Sequence, residues 1–118
     1  MKKNEYLLYI LDFLQPHGPI TAKALFGGHG IYLGSAIIGV IVDNELYFKV
    51  DELTKPAFDQ WGSQPFIYEG KTKTVTMPYM KLPESILENR EELPQWIENA
   101  YQVSLRSQKS TPKKKKQA

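Results

Sequence analysis

Gly27-Gly28-His29-Gly30 is the stretch whose residue types come nearest to chemistry. Clustered glycines aim backbone N–H groups at an anion when they open a helix. Here strand-like sequence follows, and the Gly-Lys-Ser/Thr ending of a phosphate loop is absent. The cluster therefore reads as a tight turn or bulge that needs positive φ. His29 as a general base lacks an evident nucleophile, since Tyr32 and Ser35 are the nearest hydroxyls in the sequence. His17 is the other histidine, and no carboxylate spacing joins the two into a metal site. The chain has no cysteine, which excludes disulfides, thiolate zinc and a cysteine nucleophile and fits a reducing cytoplasm. The expectation is a cytoplasmic protein with no catalytic residue, no metal and no cofactor.

Tyr32, Tyr47, Tyr68 and Tyr79 lie on or beside stretches that read as strands. Aromatics on a sheet stack single-stranded bases when a basic groove surrounds them, and they also favour strands for packing alone. Charge favours packing. The formal net charge is +2, and Lys113, Lys114, Lys115 and Lys116 supply more than all of it: without them the remainder stands at −2. Electrostatic attraction to nucleic acid would therefore live in this tail, as weak, non-specific phosphate contacts. The same lysines would equally serve a solubilising tail, because four of them make few contacts.

The elements that must position these residues follow from periodicity. A chain of 118 residues suits one domain. Its N-terminus starts like a signal peptide, but Glu5 and Asp12 interrupt the apolar run and no small-residue cleavage site follows. Leu7, Ile10, Leu11 and Leu14 instead make one face of a helix capped by Asn4 and stopped by Pro16 and Gly18. No apolar stretch reaches the roughly 20 residues of a membrane span. A short strand over 21–26 enters the glycine cluster. An antiparallel hairpin over 35–42 and 45–50 turns at Asp43-Asn44.

A two-residue loop there sets Ile41 opposite Leu46, Gly39 opposite Phe48 and Ile37 opposite Val50, a fully apolar face on which Gly39 leaves room for the Phe48 ring. The reverse face carries Ile38, Val40 and Val42 against Glu45, Tyr47 and Lys49. It is more apolar than a free sheet face usually is. A partner subunit (hence a homodimer), another protein or a segment of this chain is expected to cover it. Ile38, Val40, Tyr47 and Lys49 are thus a candidate interaction surface. Lys49 and Asp51 are expected as a surface pair.

Asp51 or Thr54 can cap a second helix that turns Phe58 and Trp61 inward and ends at Gly62. A second hairpin spans 65–70 and 73–79, and Pro83 opens a helical turn. Leu93, Trp96, Ile97, Ala100, Tyr101, Ser104 and Leu105 fall on one face of a last helix with Pro94 in its first turn. From Ser107 the chain is polar, lysine-rich and without periodicity, which predicts disorder. The domain is therefore 1–106 and the tail 107–118. The order α-β-β-β-α-β-β-α predicts a two-layer α+β sandwich: an antiparallel sheet of about five strands with helices on one face.

Several of these motifs occur in order: LFGGHGIY, DNELYFKVD, PFIYEG, MPYMKLPESILEN and the helix containing Trp96. Together, over roughly residues 20–105, they resemble the N-terminal domain of TfoX/Sxy proteins. The resemblance implies the same α+β architecture. It also implies a non-enzymatic regulatory module that promotes transcription of competence (DNA-uptake) genes through a protein partner such as the cyclic-AMP receptor protein. In the full-length regulators a helical second domain follows, whereas this chain is expected to be the first domain alone. Beside the protein-binding module stand two other readings: a nucleic-acid-associated protein using the lysine tail, and an enzyme using a functional loop of Phe26, Gly27, Gly28, His29, Gly30 and Tyr32.

Overall fold

The computed structural model describes the backbone of residues 2–116 and the side chains of residues 2–108. Helix α1 (Lys3–Leu14) begins one residue before Asn4, so the expected cap is inside the helix. Lys2 takes the cap position instead, and its backbone N–H donates to Glu5 Oε1 at 3.3 Å. A 3-10 turn (Gln15–His17) containing Pro16 ends at Gly18, whose φ of 146° suits only glycine. The strands are β1 (Ile20–Leu25), β2 (Gly28–Leu33), β3 (Ala36–Val42), β4 (Glu45–Lys49), β5 (Pro65–Glu69) and β6 (Thr74–Lys81). The helices after α1 are α2 (Lys55–Asp59), α3 (Glu84–Leu87) and α4 (Leu93–Lys116).

The fold is α+β, with six strands in one antiparallel sheet ordered β1-β2-β3-β4-β6-β5. The sixth strand is β2, whose glycines the sequence pattern assigns to a turn or bulge. The turn lies one step earlier: Phe26 and Gly27, at φ 55° and 76°, link Leu25 to Gly28 as a two-residue hairpin loop. Gly28 and Gly30 belong to the ladder, where neighbouring strands leave no room for a side chain. A Cβ on Gly28 would overlap the carbonyl oxygen of Ile41, and one on Gly30 would lie 2.9 Å from Leu25 Cδ2.

The β3–β4 hairpin has the expected register, Gly39 opposite Phe48 and Ile41 opposite Leu46, about Asp43 and Asn44 at φ 53° and 59°. A Cβ on Gly39 would lie 3.1 Å from the Phe48 ring. Beyond Gly39 the alternation changes. Ile31 of β2 faces Gly39 and Tyr32 faces Ile37, so Ile38 is an extra residue in β3. This bulge sends Ile38 to the helix side and Ile37 to the reverse side, the opposite of the expected placement of both.

The main core lies between the sheet and the helices. Ile10 and Leu14 of α1, Phe58 of α2, Ile86 and Leu87 of α3, and Leu93, Ile97 and Ala100 of α4 pack on Ile31, Ile38, Ile41, Leu46 and Phe48. Trp96 packs at its margin, edge-on to Phe58 at 4.8 Å. Trp61 does not join it: α2 ends two residues earlier and the indole is 52% exposed. Asp51 shapes the entry to α2, its Oδ1 accepting from the backbone N–H groups of Leu53 and Thr54 at 3.0 and 3.3 Å. Asp51 pairs not with Lys49 but with Arg106 of α4 at 2.8 Å, which holds its carboxyl below the usual carboxylate range. Helix α4 carries Ser107 and Gln108 beyond the boundary expected at 106. The side chains of 109–118, most of the segment expected to be a disordered tail, lie outside the described residues.

Candidate functional site: the reverse face of the sheet

The face away from the helices carries a second, smaller cluster: Val40, Phe66 and Tyr79, flanked by Leu25, Phe26, Ile37, Val42, Tyr47 and Met77. It forms because the sheet curls. β1 and β5 are its two ends, yet Phe26 at the tip of β1 meets Phe66 and Tyr68 of β5 at ring distances of 5.6 and 5.1 Å. Tyr47 reaches Phe66 at 5.2 Å. Pro78 interrupts β6, an interior strand, where it can donate no ladder hydrogen bond. Close by, the β5–β6 register slips between Pro65 and Ile67. Phe66 lies within that irregular stretch and reaches over the reverse face.

The apolar excess on this face is thus covered in part by the chain itself. Val40 is fully buried beneath the second cluster, and Ile38 is fully buried on the other side of the sheet. Neither is available to a partner. Tyr47 and Lys49 remain half-exposed on the reverse face. The Tyr47 hydroxyl donates to Glu45 Oε1 at 2.9 Å; burial first, then this carboxylate, pushes its pKa up to about 12.

Two concavities open at opposite ends of β3. The first, about 420 Å³, is an aromatic groove along β5 floored by Phe26, Val42, Tyr47, Phe66 and Tyr68, with Asp43 and Glu69 on its rim. Two of its lining residues are apolar and wet: Tyr68 is 38% exposed and Ile67 48%. Sequence reading marks Tyr68 as a sheet aromatic but does not find this groove, because only the curl of the sheet brings Phe66 and Tyr68 against Phe26. The second concavity lies beside Ile37 and Lys49, under Ser104 and Ser107 of α4.

The expected functional loop is divided. Phe26 and Gly27 are the hairpin turn, Gly28 and Gly30 are close-packed in β2, and His29 sits between them opposite Ala24 and Ile41. Tyr32 stands at the far end of β2 with Lys23 over its ring at 5.3 Å. No helix follows the glycines to aim N–H groups at an anion. His17 lies in the turn after α1, on a different element from His29, and no cluster of three metal-ligating side chains occurs among the described residues. No helix among them is long and apolar enough to cross a membrane. The tail lysines Lys113–Lys116 have their side chains outside the described residues.

A search of curated proteins finds no match. The sequence profile of the TfoX N-terminal domain matches residues 12–104. That span runs from the last turn of α1 to the buried Ser104 of α4, so it takes in the whole sheet, its hairpin turns and the curled aromatic face. The sheet and the profile therefore coincide, and the chain belongs to the TfoX N-terminal domain family.

Proposed function

We propose that this protein is a non-enzymatic regulatory module that binds a protein partner through the aromatic groove of its reverse sheet face. Membership of a family named for competence regulators supports regulation as the setting. The observation that carries the binding role is the exposure of Tyr68, whose ring meets Phe26, and of Ile67 in the same groove. Rigid aromatics at the edge of a well-packed cluster are the usual anchors of an interface. The acidic rim of Asp43 and Glu69 suits a segment with an apolar anchor between basic residues. The partner proposed is a transcription regulator of the cyclic-AMP receptor protein kind.

Isothermal titration with that receptor protein in its cyclic-AMP-bound form tests the reading. The wild-type chain binds, Tyr68→Ser weakens binding at least tenfold (about 1.4 kcal/mol), and Glu98→Gln, on an exposed part of α4, leaves it unchanged. No heat of binding, or equal affinity for the Tyr68 variant, overturns it.

A further inference from the structure

Lys49 ends β4 half-buried on the reverse face. Its Nζ lies 5.0 Å from the centre of the Tyr79 ring, its cross-strand neighbour. Among the described residues the ion pairs are Lys55–Asp59, Lys81–Glu45 and Arg106–Asp51, so no described carboxylate stands at ion-pair distance from Lys49. Burial alone pulls its pKa down. Tyr79 supplies no charge either, because burial pushes its pKa up to about 12. Holding an ammonium away from water with no counter-charge is unfavourable.

This amine lines a cavity of about 470 Å³ that also presents the side chains of Tyr32, Ser35 and Ser104. Ser104 is buried although it is polar. Serine and tyrosine hydroxyls donate to an oxyanion, and a lysine ammonium supplies charge with three donors. Lys23 stands 5.3 Å from the centre of the ring of Tyr32, one of the lining residues. We infer that this cavity is a binding site for a small molecule bearing an oxyanion, a phosphate or a carboxylate, with Lys49 as its counter-charge. The volume is that of a small-molecule site. A nucleic-acid strand would need a basic track, and among the described residues the cations shown near this cavity are Lys23 and Lys49. The site lies at the other end of β3 from the aromatic groove, so it stands or falls independently of the partner proposed above.

The test is titration of the isotope-labelled full chain with sodium phosphate, and separately with sodium acetate, at constant ionic strength maintained with chloride. Amide shifts of Ser35, Lys49 and Ser104 saturate with a midpoint below about 10 mM, a little weaker than the millimolar affinity worth about 4 kcal/mol. Saturation by phosphate alone assigns a phosphorylated small molecule, by acetate alone a carboxylate; saturation by both supports the shared oxyanion chemistry. Lys49→Gln abolishes saturation, Lys49→Arg retains it, and Lys81→Gln leaves it unchanged. The side-chain Cε shift of Lys49 in the wild-type chain gives a second readout that needs no variant: bound anion raises its ionisation midpoint. Linear shifts with both anions, saturation persisting in Lys49→Gln, or an unmoved Lys49 midpoint overturns the inference.

Discussion

Phe26 is a bulky residue held at φ 55°, where an L side chain is crowded by its own backbone. Its ring contacts with Phe66 and Tyr68 offset that strain. Phe26→Gly relieves the backbone but loses both contacts, and the loss of the ring dominates. Gly28 and His29, adjacent in sequence, respond oppositely to alanine. Gly28→Ala drives a methyl into the Ile41 carbonyl and costs on the order of 2 kcal/mol or more in urea unfolding, as overpacking does. His29→Ala costs less than about 1 kcal/mol, as at sites outside the core. Equal costs would contradict the close-packed reading of these glycines. Phe48→Ala, which empties the centre of the main core, costs about 3–5 kcal/mol. Below about 1 kcal/mol, the register that buries Phe48 would be wrong. At this scale the sequence was legible where one residue answers to one neighbour, as Gly39 does to Phe48. It was not legible where a glycine answers to a strand the reading had not placed.

Pattern carried the elements further than it carried their faces. Period two located β3 and β4, and Asp43-Asn44 set their register. The bulge at Ile38 was invisible, because IleIle followed by Gly suits either face and only the pairing with β2 decides. The curl of the sheet was equally hidden, since it joins residues of β1 and β5 that no local pattern relates. That curl has a consequence for pH. Burial raises the pKa of Tyr79 and Tyr47 on the reverse face, and of Tyr6 on α1, each to about 12 from an ordinary 10.0. A raised folded-state pKa adds stability that is fully present below the unfolded value and is lost as pH climbs through the folded one. Stability should therefore fall between pH 10 and 12. Tyr79, the most buried of the three, contributes about 2–3 kcal/mol of the loss. The lowered pKa of Lys49 acts with the opposite sign, because shedding its proton relieves a buried charge. Urea unfolding of Tyr79→Phe across that range should show a shallower fall than wild type; identical slopes would remove the burial of Tyr79 as the cause.

The described groove has an acidic rim, while the run Lys113–Lys116 lies at the end of the chain. Any DNA binding by the full chain should be weak, indifferent to sequence and lost when residues 108–118 are deleted. Its log–log salt slope on duplex DNA should be no steeper than about −3.6 for four lysines. Specific binding that survives the deletion would place a nucleic-acid site on the folded body. In the proposed complex the curled reverse face, not the helical layer, meets the partner. The most direct measurement is amide chemical-shift mapping of the labelled chain titrated with the cyclic-AMP receptor protein. Perturbations concentrated at Phe26, Tyr47, Phe66, Ile67 and Tyr68 are expected. Perturbations confined to α1 and α4, or none at saturating receptor protein, would contradict it.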